Sequence, residues 1–589
     1  MRFVGFVGVA AVIAACGPDD HGVLELSPAD LTLTVVDGQL VAQDYTATLI
    51  RPDGSRSDVT ADARFGLDDP SYGGFDGTIL QVTGRGAGPI HVQAATSLAT
   101  GDTGLTVLVQ TTIVAPDVPA DAPALVDAAI EDPSRAPAMA YPADGVLLPP
   151  NLGELDVHWT ASPNATTDDL FLVSIVSPYV DIRLYTRGLD PITPTTKFWT
   201  LIPPALWAPM TSARQALTLT VTGTSSTAPT MKGTSSPRSV DIANESARGG
   251  VYYWSIPTIT GAAGIFRYDI GRPEVPPAPL FPTGTSPSPC MGCHALSRDG
   301  TKIAMTLDNP DQRATVLEVG NRGQLVRYDA TTPDRWNFAT FSADGKKLVT
   351  VLQGAMTLRD TYGGAALATL ENSPGMVATH PELAPDNSRL VSVEAPGMVG
   401  NPGLIDLFST SGSLVVRTFD DATNTFGPIA PLVPADTAQM QANFYPAFSP
   451  DGQWIVFTRT AAMSYSDATA QTWVIKADGS MPPIQLASAN LGAGLTNSWA
   501  RWVPFAQTVG PDHQSIFYLS FSSKRPYGVR LPLGGVPQIW MTPFFPDRAL
   551  AGMDPSGPAF RLPFQDVTAG NHVAQWTQSV VQTSGGASF

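Results

Sequence analysis

Phe448-Ser449-Pro450-Asp451-Gly452-Gln453-Trp454-Ile455-Val456 is the stretch on which the reading of this chain turns. An apolar residue ends one strand, Ser-Pro-Asp-Gly reverses the chain, and an apolar strand leaves. In such a turn the Asp carboxylate accepts hydrogen bonds from the turn backbone, and Gly supplies the positive φ. The same nine-residue pattern recurs in phase at Leu296-Ser297-Arg298-Asp299-Gly300-Thr301-Lys302-Ile303-Ala304, at Phe341-Ser342-Ala343-Asp344-Gly345-Lys346-Lys347-Leu348-Val349 and at Leu383-Ala384-Pro385-Asp386-Asn387-Ser388-Arg389-Leu390-Val391. Asp299, Asp344, Asp386 and Asp451 follow one another at 45, 42 and 65 residues. That spacing suits four-stranded propeller blades with loop insertions.

A degraded fifth copy is read at Pro511-Asp512-His513, before Ile516-Phe517-Tyr518-Leu519. A sixth is split between the two ends of the region. Gln575-Trp576-Thr577 starts a blade, whereas Val251-Tyr252-Tyr253-Trp254 and Ile265-Phe266-Arg267-Tyr268 supply its later strands. Joining them closes a ring and leaves no open edge. Residues 249–589 are therefore expected to form a β-propeller of about six blades. The repeat resembles the WD40-like (PD40) repeat of TolB-type propellers, a resemblance that implies action through protein partners.

The rest of the chain also reads as β-structure. It has 589 residues, 53 Gly and 54 Pro, and only 15% charged residues, the composition of short strands joined by tight turns. No long helical pattern occurs. The net charge, 34 − 52 = −18, disfavours nucleic acid as a partner. Residues 23–113 alternate in period two, as in Leu31-Thr32-Leu33-Thr34-Val35, and carry Asp58-Val59-Thr60 and the run Gly84-Arg85-Gly86-Ala87-Gly88 before Ile90-His91-Val92. They resemble a bacterial group 2 Ig-like domain. The glycine run reads as a turn and not as a nucleotide loop, because no helix follows it. Residues 114–140, rich in Pro, Ala and Asp, read as an extended linker. Residues 141–248 read as a second sandwich of Ig or fibronectin type, in which His158 is a strand residue and not a ligand. The expected fold class is all-β, with N-terminal Ig-like sandwiches followed by the propeller.

The first sixteen residues form a targeting segment: Arg2, then an apolar stretch ending Ile13-Ala14-Ala15-Cys16. It resembles the lipobox of bacterial lipoproteins, which implies cleavage before Cys16 and lipidation of its thiol. Gly17 in place of Asp implies, by the same resemblance, the outer membrane. The competing reading is an ordinary signal peptide with an incidental cysteine.

Cys290-Met291-Gly292-Cys293-His294 is the one run that carries chemistry. C-x-x-C-H is the attachment signature of c-type haem, in which two thiols add to the vinyl groups and the following imidazole reaches the iron. By resemblance Cys290 and Cys293 are the thioether residues, His294 is an axial ligand, and one haem c is bound per chain. No small cytochrome domain fits, since Ser297-Arg298-Asp299-Gly300 follows at once, so the propeller itself would hold the group. In phase with the repeat, Cys293-His294 falls opposite His380-Pro381 and Tyr445-Pro446, and His572 enters the neighbouring split blade. All three histidines are expected at one mouth of the channel. His572 is the first candidate for the sixth iron ligand, ahead of His380 and of Met376 or Met398.

The alternative is a Cys290–Cys293 disulfide in an oxidising compartment. Two functions follow: an envelope lipoprotein that transfers electrons through one haem c, or a non-enzymatic propeller scaffold for protein–protein contacts. The expected partners are the membrane, through the lipid anchor, and a redox or other envelope protein. No H-E-x-x-H, G-x-S-x-G or Walker loop is present to name an enzyme.

Overall fold

The computed structural model describes residues 22–189, 196–256, 263–281, 291–307, 313–326, 335–396, 411–461 and 466–582. Cys16, Cys290 and Met398 lie outside the described residues. The chain is all-β, and its described helices are short, seven residues in Ala122–Ala128 and six in Trp207–Ser212. No described helix is long and apolar enough to cross a membrane. Two compact units are present: residues up to Thr111 with Pro178–Asp181, and the remainder.

In the first unit, alternation sets what is buried. Leu24 and Leu26 of Val23–Ser27, Leu33 and Val35 of Leu31–Val36, and Ile90, Val92 and Ala94 of Gly88–Ala95 turn inward while their neighbours face out. Gly84–Gly88 is a turn leading straight into a strand. A Cβ on Gly86 would fall 2.6 Å from the Tyr72 ring. The Tyr72 hydroxyl donates to the Ala87 carbonyl at 2.9 Å.

The second unit opens with a middle domain. Leu170–Val176 pairs with Leu217–Thr224, and Asp156–Thr160 lies between Ala138–Tyr141 and Lys197–Leu201. Trp159, Phe171 and Phe198 pack together, with ring centroids 4.6 to 6.0 Å apart. The stretch expected as an extended linker is folded against this domain. Ala122–Ala128 is a helical turn, and Val118, Ala122 and Val126 are buried with Leu170 and Tyr185. Its composition suggested a linker, but Ala122 and Val126 stand one helical turn apart and bury a common face.

The propeller has six blades. The inner strands are Met291–Leu296 (β1), Phe338–Phe341 (β2), Val377–Leu383 (β3), Ala442–Phe448 (β4), Ser498–Trp502 (β5) and Gly570–Thr577 (β6). Each begins a sheet of four or five strands. Each inner strand lies against the next, and β6 lies against β1, so the ring is closed. The sixth blade is the split one: β6 pairs with Gly250–Ile256, which continues to Gly264–Asp269 and Ala278–Pro279. The fifth blade departs from the repeat by a short extra strand, Gln507–Val509, inserted ahead of Gln514–Ser523.

The turns behave as their residues require. Asp299, Asp344, Asp386 and Asp451 accept from the backbone N–H two residues on, at 2.9 to 3.0 Å. Gly300, Gly345 and Gly452 have φ of +68° to +74°, and Asn387 takes the same role at +59°.

Candidate functional site at the propeller axis

Five of the six inner strands carry the same defect. The ladder slips by one residue between Gly292 and Ala295, Thr379 and Glu382, Phe444 and Ala447, and Ser498 and Arg501, and in β6 opposite Tyr252 and Trp254. At each slip one residue adopts a left-handed φ: Cys293 (+40°), His380 (+46°), Tyr445 (+53°), Trp499 (+57°) and Val573 (+51°). None is glycine, and for the β-branched Val573 this region is strongly disfavoured. Such bulges turn side chains out of the pleat and concentrate near functional sites.

The turned side chains meet. Tyr445 stacks on Trp499 with centroids 3.8 Å apart, and His380 lies 4.2 Å from Tyr445 and 4.5 Å from Phe338. Trp499 reaches the His572 ring at 6.1 Å. Cys293 and Val573 pack against the same cluster. The N-terminal halves of the inner strands are thus filled by rings.

The expected haem-site residues distribute as follows. Cys293 is half-buried at the β1 bulge. His294 is buried, 3% exposed; its Nε2 lies 3.3 Å from the Tyr252 carbonyl of the sixth blade, and its Nδ1 has no partner among the described residues. Burial lowers its pKa to about 4. His572 is equally buried on the adjacent β6, with Nδ1 3.5 Å from Ser522 Oγ. Burial, and then the neighbouring Lys524 and His294, lower it to about 3. His572 therefore feels the charge of His294, and His294 that of Arg501, whereas His380 joins the rings. Met376 precedes β3 and touches neither imidazole through any bond described here; Asn372 donates to its carbonyl at 3.4 Å. Among the described residues no three His, Cys, Asp or Glu side chains gather as a metal site.

Behind the rings the tunnel opens into a cavity of about 100 Å³. Its wall repeats with the blades. The residue two before each turn, Ala295, Thr340, Glu382, Ala447, Arg501 and Gln575, lines one level, and Arg298, Pro450, Pro504 and Gln578 line the next. Sequence reasoning passed over Glu382, Arg501 and Arg298. The signal was present: these are charged residues at repeat positions where the other blades carry Ala, Thr, Pro or Gln.

No family model matches the chain, and no curated protein matches it. Among solved structures it is similar to TolB from Acinetobacter baumannii, at 12% identity and a TM-score of 0.36 over 62% of this chain and 80% of that one. A TolB-type protein from Agrobacterium tumefaciens aligns at 13% identity and a TM-score of 0.31, over 56% of this chain and 99% of that one. Kuenenia stuttgartiensis hydrazine synthase aligns at 12% and 0.31, over 49% and 72%. What the chain itself shows is an all-β protein with a closed six-bladed propeller, its axis filled by rings at one level and lined by charged residues at the next.

Proposed function

We propose that this is an envelope lipoprotein, anchored through Cys16, whose propeller carries one covalent haem c for electron transfer. Cys290 and Cys293 would form the thioethers, and His294 and His572 would hold the iron. The Ig-like region would hold the propeller away from the membrane. The observation that carries the reading is the pairing of a C-x-x-C-H run, whose Cys293 and His294 stand on β1, with a second buried imidazole on β6. Burial keeps both rings neutral, the form that binds iron. The donor set suits the group, and the orphaned Nδ1 of His294 is a buried polar atom without a protein partner among the described residues. When bound, haem would supply a one-electron redox centre. The protein's part is to exclude water around His294 and His572 and to hold both unprotonated. Ligation through Nε2 requires His294 to leave the Tyr252 carbonyl, so haem binding and that inter-blade hydrogen bond are alternatives.

The second reading is a binding scaffold with a Cys290–Cys293 disulfide. It is favoured by the same hydrogen bond, which gives His294 structural work in joining the first and sixth blades. One experiment separates the two. The full chain is expressed in a host with haem-maturation machinery and examined for a covalent Soret band and a reduced α-band. Pigment that is lost on Cys293→Ser supports haem, and His572→Ala should then change the spectrum. Colourless protein whose two thiols become titratable only after reduction supports the scaffold.

A further inference from the structure

We infer that the cavity behind the aromatic rings is a binding site for one small oxyanion, a monocarboxylate or an inorganic anion of acetate or nitrate size, held by Arg298 and Arg501. The inference does not depend on haem.

The first observation is charge. Arg298 and Arg501 both line the cavity, and Glu382 is the one carboxylate that lines it with them. Asp386, on the turn beyond β3, also acts on Arg298, but from a largely solvated position. Arginine keeps its proton under ordinary conditions, so two half-buried guanidinium groups line the cavity with one half-buried carboxylate. Burial disfavours both guanidiniums and raises the Glu382 pKa, while the two arginines oppose that rise. A half-buried pair of positive charges that shares one lining carboxylate is incompletely compensated, at a cost in free energy. A small anion removes that cost, whereas a cation would add to it.

The second observation is the donor geometry. Arg501 Nη1 donates to the Ala500 carbonyl at 2.9 Å, and Nε donates to Gln575 Oε1 at 3.4 Å. These two bonds fix the plane of the guanidinium and commit Gln575 as an acceptor, so its amide nitrogen is the group left to donate. The planar fork of an arginine matches the two oxygens of a carboxylate or nitrate, which a spherical halide does not offer. Thr340 and Gln578 add neutral polar groups to the wall.

The third observation is size. A cavity of about 100 Å³ has room for a group of a few heavy atoms. The rings of Tyr445, Trp499 and His380 fill the axis on one side, so an extended peptide could not thread through in this conformation.

Trp502 and Trp576 line the cavity and provide the readout. Sodium acetate and sodium nitrate are titrated separately into the full chain at constant ionic strength in chloride, with tryptophan fluorescence and calorimetry recorded in parallel. A saturable response to either anion, with a dissociation constant of about 0.1–10 mM, is expected. Response to acetate alone identifies a carboxylate, and response to nitrate alone an inorganic anion. Arg501→Lys should weaken binding at least tenfold, and Glu382→Gln should tighten it. If Arg501→Lys fails to fold, Arg298→Gln, at the other level of the wall, serves the same purpose. A wild-type chain that answers neither anion beyond the chloride control overturns the proposal, as does binding that is unchanged in the arginine variant.

Discussion

Asp156 of the middle domain accepts a 2.6 Å hydrogen bond from Arg530 Nη1, in the loop that follows the second strand of the fifth blade. The same carboxylate oxygen accepts from the Tyr527 hydroxyl at 2.7 Å and lies 3.5 Å from His158 Nε2. Arg530 also stacks over Trp199 at 3.9 Å. One carboxylate therefore joins two domains whose partners are more than 370 residues apart in the chain. Burial alone would raise the Asp156 pKa, but His158, Tyr527 and Arg530 outweigh it and hold the group ionised. Asp156→Ala leaves Arg530 and Tyr527 without their acceptor and should cost about 3 kcal/mol, read as a lower urea midpoint. Asp156→Asn retains an acceptor oxygen and should cost less.

Gly528 sits inside this seam with φ +50°, and a Cβ placed on it would lie 1.9 Å from His158 Nδ1. The next residue, Val529, donates its N–H to that same nitrogen at 3.3 Å. Gly528→Ala meets both a left-handed backbone and a collision. We expect a loss of more than about 2 kcal/mol. Measured against His158→Ala alone, adding Gly528→Ala should cost less than it does in the wild type, because the collision is gone and only the backbone cost of the alanine remains. Equal costs in the two backgrounds would show that steric overlap is not the cause.

How much of this was visible in the residues depends on range. The blades were legible because each turn is local: Ser449 Oγ lies 2.5 Å from Asp451 Oδ1 and accepts from the Trp454 N–H at 2.9 Å, all within five residues. The bulge register was legible too, since counting back from those turns puts Cys293, His380 and Tyr445 at equivalent places. Trp499 escaped because the inserted strand Gln507–Val509 separates its inner strand from the Asp512 turn that marked the blade. The Asp156–Arg530 contact left no local trace, as a long-range pair creates no periodicity. Arg298, Glu382 and Arg501 were each readable as turn or strand residues. Only the ring brings them to one wall.

The turns offer a reciprocal test. Ser297, Ser342 and Ser449 place a hydroxyl between the turn aspartate and the backbone N–H of the departing strand. The third blade has Ala384 at that position, 1% exposed, with the same backbone bond from its N–H to the Arg389 carbonyl. Ser449→Ala should cost about 1–2 kcal/mol, and Ala384→Ser should gain on the order of 0.5–1 kcal/mol by restoring the missing bond. Asn387→Gly would relieve a left-handed backbone. It would also remove the bonds from Asn387 Nδ2 to Asp421 and from the Ala343 N–H to Asn387 Oδ1, at 3.0 and 2.6 Å. That variant should be destabilised, which a thermal melt decides.

Acid should loosen the propeller axis before it reaches the carboxylates. An unfolded chain protonates its imidazoles near pH 6.5, whereas folded His294 does so near 4 and His572 near 3. Between those values the unfolded state binds more protons. The stability present above pH 6.5 is therefore lost progressively as pH falls toward 4. For His294 alone the loss is on the order of 3 kcal/mol. Asp156, whose pKa is depressed, contributes stability that disappears only below about pH 4. Urea midpoints measured from pH 7.5 to 4.5 should fall steadily, and His294→Gln should flatten the profile. A flat wild-type profile in haem-free protein would mean that the imidazoles are hydrated in solution.

The ring closes through one strand, so its removal should be out of proportion to its length. A chain ending at Ala569 lacks β6. It exposes the edge of Gly250–Ile256, whose backbone pairs with Gly570–Thr577. It also deletes the Trp576 Nε1 bond to Ser520 Oγ at 2.8 Å, the Gln575 acceptor of Arg501, and the wall residues Gln575, Trp576 and Gln578. An open strand edge is a template for intermolecular pairing. The truncated chain should therefore elute as oligomers or aggregate, and it should melt without a single cooperative transition. Trp576→Ala keeps the backbone ladder but loses the indole, and should stay monomeric with a lowered melting temperature. If both variants behave alike, side-chain packing and not strand closure holds the sixth blade. If the truncated chain stays monomeric and cooperative, the ring does not need its closing strand.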